Sequence, residues 1–422
     1  MSFIKHIHPV KIPLKALELK STWALGGMCL VLFVLLMGSG GLMLFSYQPF
    51  PELAYASVQS LENQFIFGRM IRSIHYFSAN LLVVLVAGHM LRVFFTGGYQ
   101  GKRRLNWIIG LCIFSLVLLS CFTGYLLPWD QTAFWAVTIC INMFDYVPAG
   151  GFLKGLFISG DGVSEKTLQL FFTLHTTLIP AALIFFLAIH FWKIRKAKGV
   201  VTSGLNDIGE GEKPVMVATH PSLLLREAVA ALVLIAFIMI LAFAFDAPLD
   251  NMANAGLSPN PAKAPWYFSG FQELLLHFHP FFAVFFIPFA IACILIYLPF
   301  RQGNIQNEGT WFISDRAKKA AKTAILISVI LTPALIFFDE YIFNFQKWFP
   351  DIPPILSTGL IPFVLVLTLV FFHHFGMKKK AKLSDAEAFQ TSTVFLITAF
   401  IILTLTCVWL RGTGMNLIFG GG

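Results

Sequence analysis

Residues 72–95, RSIHYFSANLLVVLVAGHMLRVFF, place His75 and His89 14 positions apart inside one apolar run. Residues 170–192, LFFTLHTTLIPAALIFFLAIHFW, repeat the arrangement with His175 and His190 15 apart. At about 1.5 Å rise and about 100° per residue, a gap of 14 returns to nearly the same helix face about 21 Å further along, and a gap of 15 misses by roughly 60°. Two such helices side by side offer two His-His pairs, one above the other across a membrane.

An imidazole without a partner is costly in hydrocarbon, so an ionisable residue there is a functional signal. For any one histidine, a hydrogen bond to a nearby carbonyl is the commoner arrangement. Four at matching spacing on two helices point instead to iron porphyrin, because two neutral imidazoles fill both axial positions of haem and leave a centre suited to electron transfer. His75, His89, His175 and His190 are therefore the predicted iron ligands of two b-type haems.

Composition supports a membrane setting. The chain has 422 residues, 57% hydrophobic and only 12% charged, with 46 Phe, a balance that belongs to integral membrane proteins. Nine apolar stretches are long enough to span, at about 23–47, 74–95, 107–127, 168–192, 223–245, 277–300, 319–338, 355–375 and 391–410. They should be helices, since lipid offers no other way to satisfy an open backbone. The predicted fold class is an all-α integral membrane protein: a four-helix dihaem bundle followed by further transmembrane helices.

The net charge of +9 would suit a nucleic-acid partner, but its distribution argues for membrane topology and no nucleic acid. Cations collect at Lys5 to Lys20, Lys102 to Arg104, Lys193 to Lys198, Arg316 to Lys322 and Lys378 to Lys382. The intervening loops carry acids such as Glu62, Asp130, Asp246, Asp339 and Glu340. The positive-inside rule then puts the amino terminus in the cytoplasm of a bacterial-type inner membrane, with the carboxyl terminus outside. His75 and His175 become the outer pair, His89 and His190 the inner. The six cysteines are scattered with no CxxCH and no CxxC, and read as packing residues.

The first span carries Gly26 and Gly40 and the third Gly110 and Gly124, each pair again 14 apart. Glycine in a membrane helix ordinarily marks close helix packing. The shared period suggests clearance for a flat macrocycle at two depths. Arg72 and Arg92 stand three residues from His75 and His89 on the same helix faces. Each either snorkels to the interface or pairs with a haem propionate.

The strings FGRMIRSIH, HMLRVFFTGGY, TGYLLPWDQTAFW and HFWKIRK, with the paired glycines, resemble cytochrome b of the quinol-cytochrome c oxidoreductases. The likeness is greatest to the b/f-type branch, whose fourth-helix histidines also stand 15 apart, and it covers roughly residues 20–375. It implies a quinol-oxidising complex in which electrons divide between a Rieske iron-sulphur partner and the two b haems, with quinone reduced near the cytoplasm. It also implies a cytochrome c acceptor and a homodimer within a multisubunit complex. By the resemblance, Tyr125, Pro265, Trp266 and Tyr267 belong to the outer quinol pocket, and Arg195 stands near the inner quinone or a propionate.

Two departures matter. Ala264-Pro265-Trp266-Tyr267 takes the place of the family's Pro-Glu-Trp-Tyr, and Pro265 cannot accept a proton as that glutamate does. Glu273, eight residues on, is the substitute candidate, against the alternative of a glutamate facing outer water. Ala24 stands where the b/f branch carries the cysteine of an extra haem, which rules out that thioether.

The resulting organisation is an amphipathic cytoplasmic segment at 1–22, a dihaem domain at 23–198, a cytoplasmic linker at 199–222, a C-terminal cytochrome b part at 223–376 and an extra span at 377–422. The ninth span is read as packing only. Two rival functions remain open at this point. One is a dihaem membrane anchor relaying electrons between quinone and a multihaem cytochrome or dehydrogenase without bifurcation. The other is a colourless transporter with structural histidines.

Overall fold

The computed structural model describes residues 10–18, 22–158, 162–197, 199, 201, 215–300, 309, 311–312 and 314–418. Among them nine helices are long and apolar enough to cross a membrane: Leu25–Met43, Gly68–Phe95, Gly101–Tyr125, Glu165–Lys196, Ser222–Ala244, Phe281–Phe300, Asp315–Tyr341, Ile355–Ala381 and Asp385–Leu410. The chain is an all-α, multi-pass membrane protein, as its composition predicts. Large apolar side chains such as Phe243, Leu232 and Phe372 are exposed on these spans, which is the surface a lipid-facing helix needs.

The described residues fall into two compact units that do not follow sequence order. The first takes residues up to 133, then 158–253 and 298–311. In it the first span lies along the second and the third along the fourth, with the second also touching the third. The fifth span packs on the first and second. A short antiparallel ribbon joins Lys11–Pro13 to Met216–Ala218, and Ile12, Ala16 and Leu17 bury themselves against Val217 and Leu223. Residues 1–9 of the expected amphipathic segment and 202–214 of the expected linker lie outside the described residues.

The second unit takes 134–157, 254–297 and 312–422. Here the ninth span is central, packed on the seventh, the eighth and the short helix Trp266–His277. Lipid tails are as apolar as leucine, so association depends on small residues that let backbones approach. Ala317, Ala320, Ala321 and Ala324 form such a buried stripe on the seventh span, and Ser328 donates its hydroxyl to the Phe395 carbonyl of the ninth at 2.9 Å. At Gly270 a Cβ would stand 2.7 Å from Phe400 and Thr404, so only glycine allows the short helix to lie this close.

The ninth span begins with a capping box. Ser384 accepts from the Glu387 amide and the Glu387 carboxylate accepts from the Ser384 amide, a reciprocal cap. The stretch after the third span folds into a pair of short helices, Gln131–Asn142 and Gly150–Phe157. Asp130 caps the first of them by accepting from the Ala133 amide at 2.8 Å.

Candidate functional site

The two histidine-bearing spans bring their rings together in pairs. The His75 and His175 ring centres are 6.2 Å apart, and those of His89 and His190 are 6.5 Å apart. With about 2.0 Å from a first-row metal to each imidazole nitrogen and about 1.1 Å more to each ring centre, two rings gripping one ion stand about 6.2 Å apart. Both separations fit that requirement.

The unequal spacing of 14 and 15 has a local cause. The fourth span opens into a π-helical turn at Leu174–Leu178, directly around His175. One extra residue in a turn absorbs about 100° of rotation, so the gap of 15 presents its rings as a gap of 14 would. His175 and His190 thereby keep the same offset as His75 and His89.

Each glycine of the two 14-residue pairs faces one ring. A Cβ at Gly40 would stand 3.2 Å from His75 Cε1, and one at Gly26 would stand 3.4 Å from His89 Cε1. On the third span, Gly124 faces His175 at 2.4 Å and Gly110 faces His190 at 3.8 Å. The glycines thus give room first to the imidazoles themselves, a more specific duty than clearance for a flat group.

Hydrogen bonding fixes the tautomer of one pair. Ser39 Oγ lies 2.7 Å from the Leu35 carbonyl and 3.0 Å from His75 Nδ1. Its single hydrogen goes to the carbonyl, so toward His75 it accepts, and Nδ1 carries the proton. His175 Nδ1 donates to the Ser120 carbonyl at 2.9 Å, an atom that can only accept. In both rings Nε2 keeps its lone pair for a metal.

Residues 12–198 match the family model described as cytochrome b/b6/petB. A cytochrome b6 of Heliobacterium modesticaldum (strain ATCC 51547 / Ice1) is 40% identical over 184 residues, 43% of this chain and 86% of that protein. The chain belongs to the cytochrome b/b6 family. A cytochrome b6 of Synechococcus elongatus is 38% identical over 175 residues, 41% of this chain and 81% of that protein. A chain of a solved structure entitled hyperthermophilic respiratory Complex III superposes with a TM-score of 0.65, at 21% identity, over 92% of this chain and 91% of that one. That likeness extends the common fold through the later spans. Membership of the cytochrome b/b6 family brings b-type haem with it, and the four rings, their separations and the assigned tautomers are what such a group requires.

The remaining predicted residues divide between the units. In the first, Arg72 is buried and gives its guanidinium to Glu62 and to the carbonyls of Ala247 and Pro248. Three of its five donors are therefore spent on protein acceptors. Arg92 is also buried and donates to the Val201 carbonyl at 2.5 Å. Arg195 is half-buried in the last turn of the fourth span, and Tyr125 half-buried at the end of the third.

In the second unit, Pro265 caps the helix Trp266–His277, with Trp266 and Tyr267 edge to face in its first turn. Glu273 does not face outer water. Its side chain is fully buried, and Arg411, equally buried, clamps it with Nη2 at 2.6 Å and Nε at 3.1 Å. Arg411 also reaches Glu340 at 2.8 Å, and His277 links Glu273 at 3.3 Å to Asp339 at 2.7 Å. Burial pushes the Glu273 pKa up, but the hydrogen bonds from His277 and Arg411 outweigh it and hold the carboxyl below its ordinary range.

Burial likewise opposes charge on His277, yet Asp339 and Glu273 together raise its pKa to about 9. A raised folded-state value stabilises the fold fully below pH 6.5 and loses that contribution as pH climbs through about 9, worth about 3 kcal/mol in all. The thermal midpoint of the detergent-solubilised protein is expected to fall from pH 7 to pH 10, and His277→Gln to flatten that decline. An equally steep decline in the variant would place the titration elsewhere.

Proposed function

We propose that the chain is the dihaem cytochrome b subunit of a quinol-oxidising complex in a bacterial-type inner membrane, with its amino terminus in the cytoplasm. Quinol is oxidised on the outer side. One electron leaves to a Rieske iron-sulphur partner and on to a cytochrome c, and the other crosses the bundle from the His75–His175 pair to the His89–His190 pair and a quinone near the cytoplasm. The observation that carries this reading is the pair of ring-to-ring separations, 6.2 and 6.5 Å, on two adjacent spans. Bound haem supplies one-electron iron chemistry. The chain's own part is to orient four imidazoles, hold the outer pair in the metal-binding tautomer, and keep water from both levels. Arg92 and Arg195 are the propionate or quinone partners in this reading, and Arg72 joins them only through donors not spent on Glu62 and the two carbonyls.

In this reading Pro265, Trp266 and Tyr267 line the quinol pocket. Glu273 serves as one end of the hydrogen-bonded series Glu273, His277, Asp339, of which Asp339 is partly exposed. Held ionised by Arg411, it passes a proton on rather than storing one. Glu273→Gln is expected to slow quinol oxidation at neutral pH while both haem spectra stay intact; an unchanged rate would remove Glu273 from the mechanism.

Pro265 in place of a glutamate favours one rival, the dihaem anchor that relays electrons from quinone to a multihaem cytochrome or dehydrogenase. Adding an oxidant to the quinol-reduced complex with inner quinone reduction blocked separates the two. Bifurcation predicts a transient further reduction of the b haems and a co-purifying Rieske protein. Simple reoxidation, with no such partner, would favour the anchor.

A further inference from the structure

The two histidine pairs differ in what holds their Nδ1 atoms, and this difference bears on the dihaem reading above. At the His75–His175 level both Nδ1 atoms donate to protein oxygens, His75 to Ser39 Oγ with the Leu36 backbone also near it and His175 to the Ser120 carbonyl. At the other level, His190 Nδ1 is buried with only the backbone of Asn106 near it. Ser39 is itself buried, and its own O–H points at the Leu35 carbonyl, so water does not compete for its lone pairs. Donation of that hydrogen polarises the hydroxyl and makes its oxygen a stronger acceptor.

We infer that Ser39 is a positioning residue that tunes the iron held by His75. An acceptor on Nδ1–H fixes the plane of the ring and shifts electron density toward Nε2, which raises ligand basicity. A more basic axial ligand favours the ferric over the ferrous state, because the oxidised centre carries one more positive charge. Removing the Ser39 acceptor therefore makes the iron at this level easier to reduce. The hydroxyl of Ser39 accordingly sets part of the reduction potential of the iron at this level.

The test is a potentiometric titration of the full-length holoprotein, following each b haem by its absorption band, with low-temperature EPR as a second readout of ring orientation. Ser39→Ala is expected to ease reduction of the His75–His175 haem about tenfold, equivalent to about 59 mV for a one-electron couple, and to alter its EPR signal, with the other haem unmoved. Ser39→Thr keeps the acceptor and restores the native value, and Ser39→Cys, a weaker acceptor, falls between. Two bound haems with both potentials unchanged in Ser39→Ala, or Ser39→Thr behaving as Ser39→Ala does, would overturn the inference while leaving the dihaem reading intact. A native protein with fewer than two haems would overturn that reading itself.

Discussion

Gly124→Ala is expected to cost the protein one of its two haems. The new Cβ would stand 2.4 Å from His175 Cε1 and 2.8 Å from Nδ1, closer than bonded neighbours aside any carbon approaches. The ring has to swing away, and in doing so it gives up its hydrogen bond to the Ser120 carbonyl. Loss of an orienting partner alone lowers metal affinity about 10- to 100-fold, and the clash adds to it. Gly110→Ala is the matched control, since the nearest atom there, His190 Cε1, is 3.8 Å away in ordinary contact. Haem content measured by pyridine haemochrome should fall toward one per chain in the first variant and stay at two in the second. Equal retention in both would show that His175 is not confined by the third span.

The second large effect is expected at the end of the ninth span. Arg411→Met leaves the Glu273 carboxylate buried without its cation, with Glu340 also released. Breaking a buried pair from one side costs about 3–5 kcal/mol, whereas replacing both partners by matched neutral groups costs far less. The single variant should lower the thermal midpoint by about 4 °C, and adding Glu273→Gln should recover much of that loss. A single variant melting within about 1 °C of the native protein would mean that the clamp contributes little.

The spans were legible from composition because about 20 consecutive apolar residues leave few alternatives to a crossing helix. The histidine pairs were legible from their period, and the glycines from sharing it. The fit of His175 was not, because a π-helical turn leaves no mark in LHTTL that distinguishes it from regular helix. Ser39 and Ser120 also went unseen: a serine inside a helix ordinarily bonds its own preceding turn, and only the folded chain shows a histidine ring within reach.

Arg411 was missed for a different reason. An arginine just past an apolar run reads as an interfacial cation, and its partner Glu273 lies 138 positions away. The ninth span, read from sequence as packing alone, delivers this side chain to the end of the helix Trp266–His277. Glu273 could be singled out as a carboxyl near the altered Pro265, but its burial against Arg411 needed the tertiary fold.

In the proposed function two b-type haems lie at two levels, each gripped by one ring from the second span and one from the fourth. Counting b haems per chain in the purified protein and in His75→Ala, His89→Ala, His175→Ala and His190→Ala tests it directly. Two haems are expected in the native chain, with the same spectral band lost from the His75 and His175 variants and the other band lost from the His89 and His190 variants. Fewer than two haems in the native protein, or any single variant that keeps both bands, would contradict it.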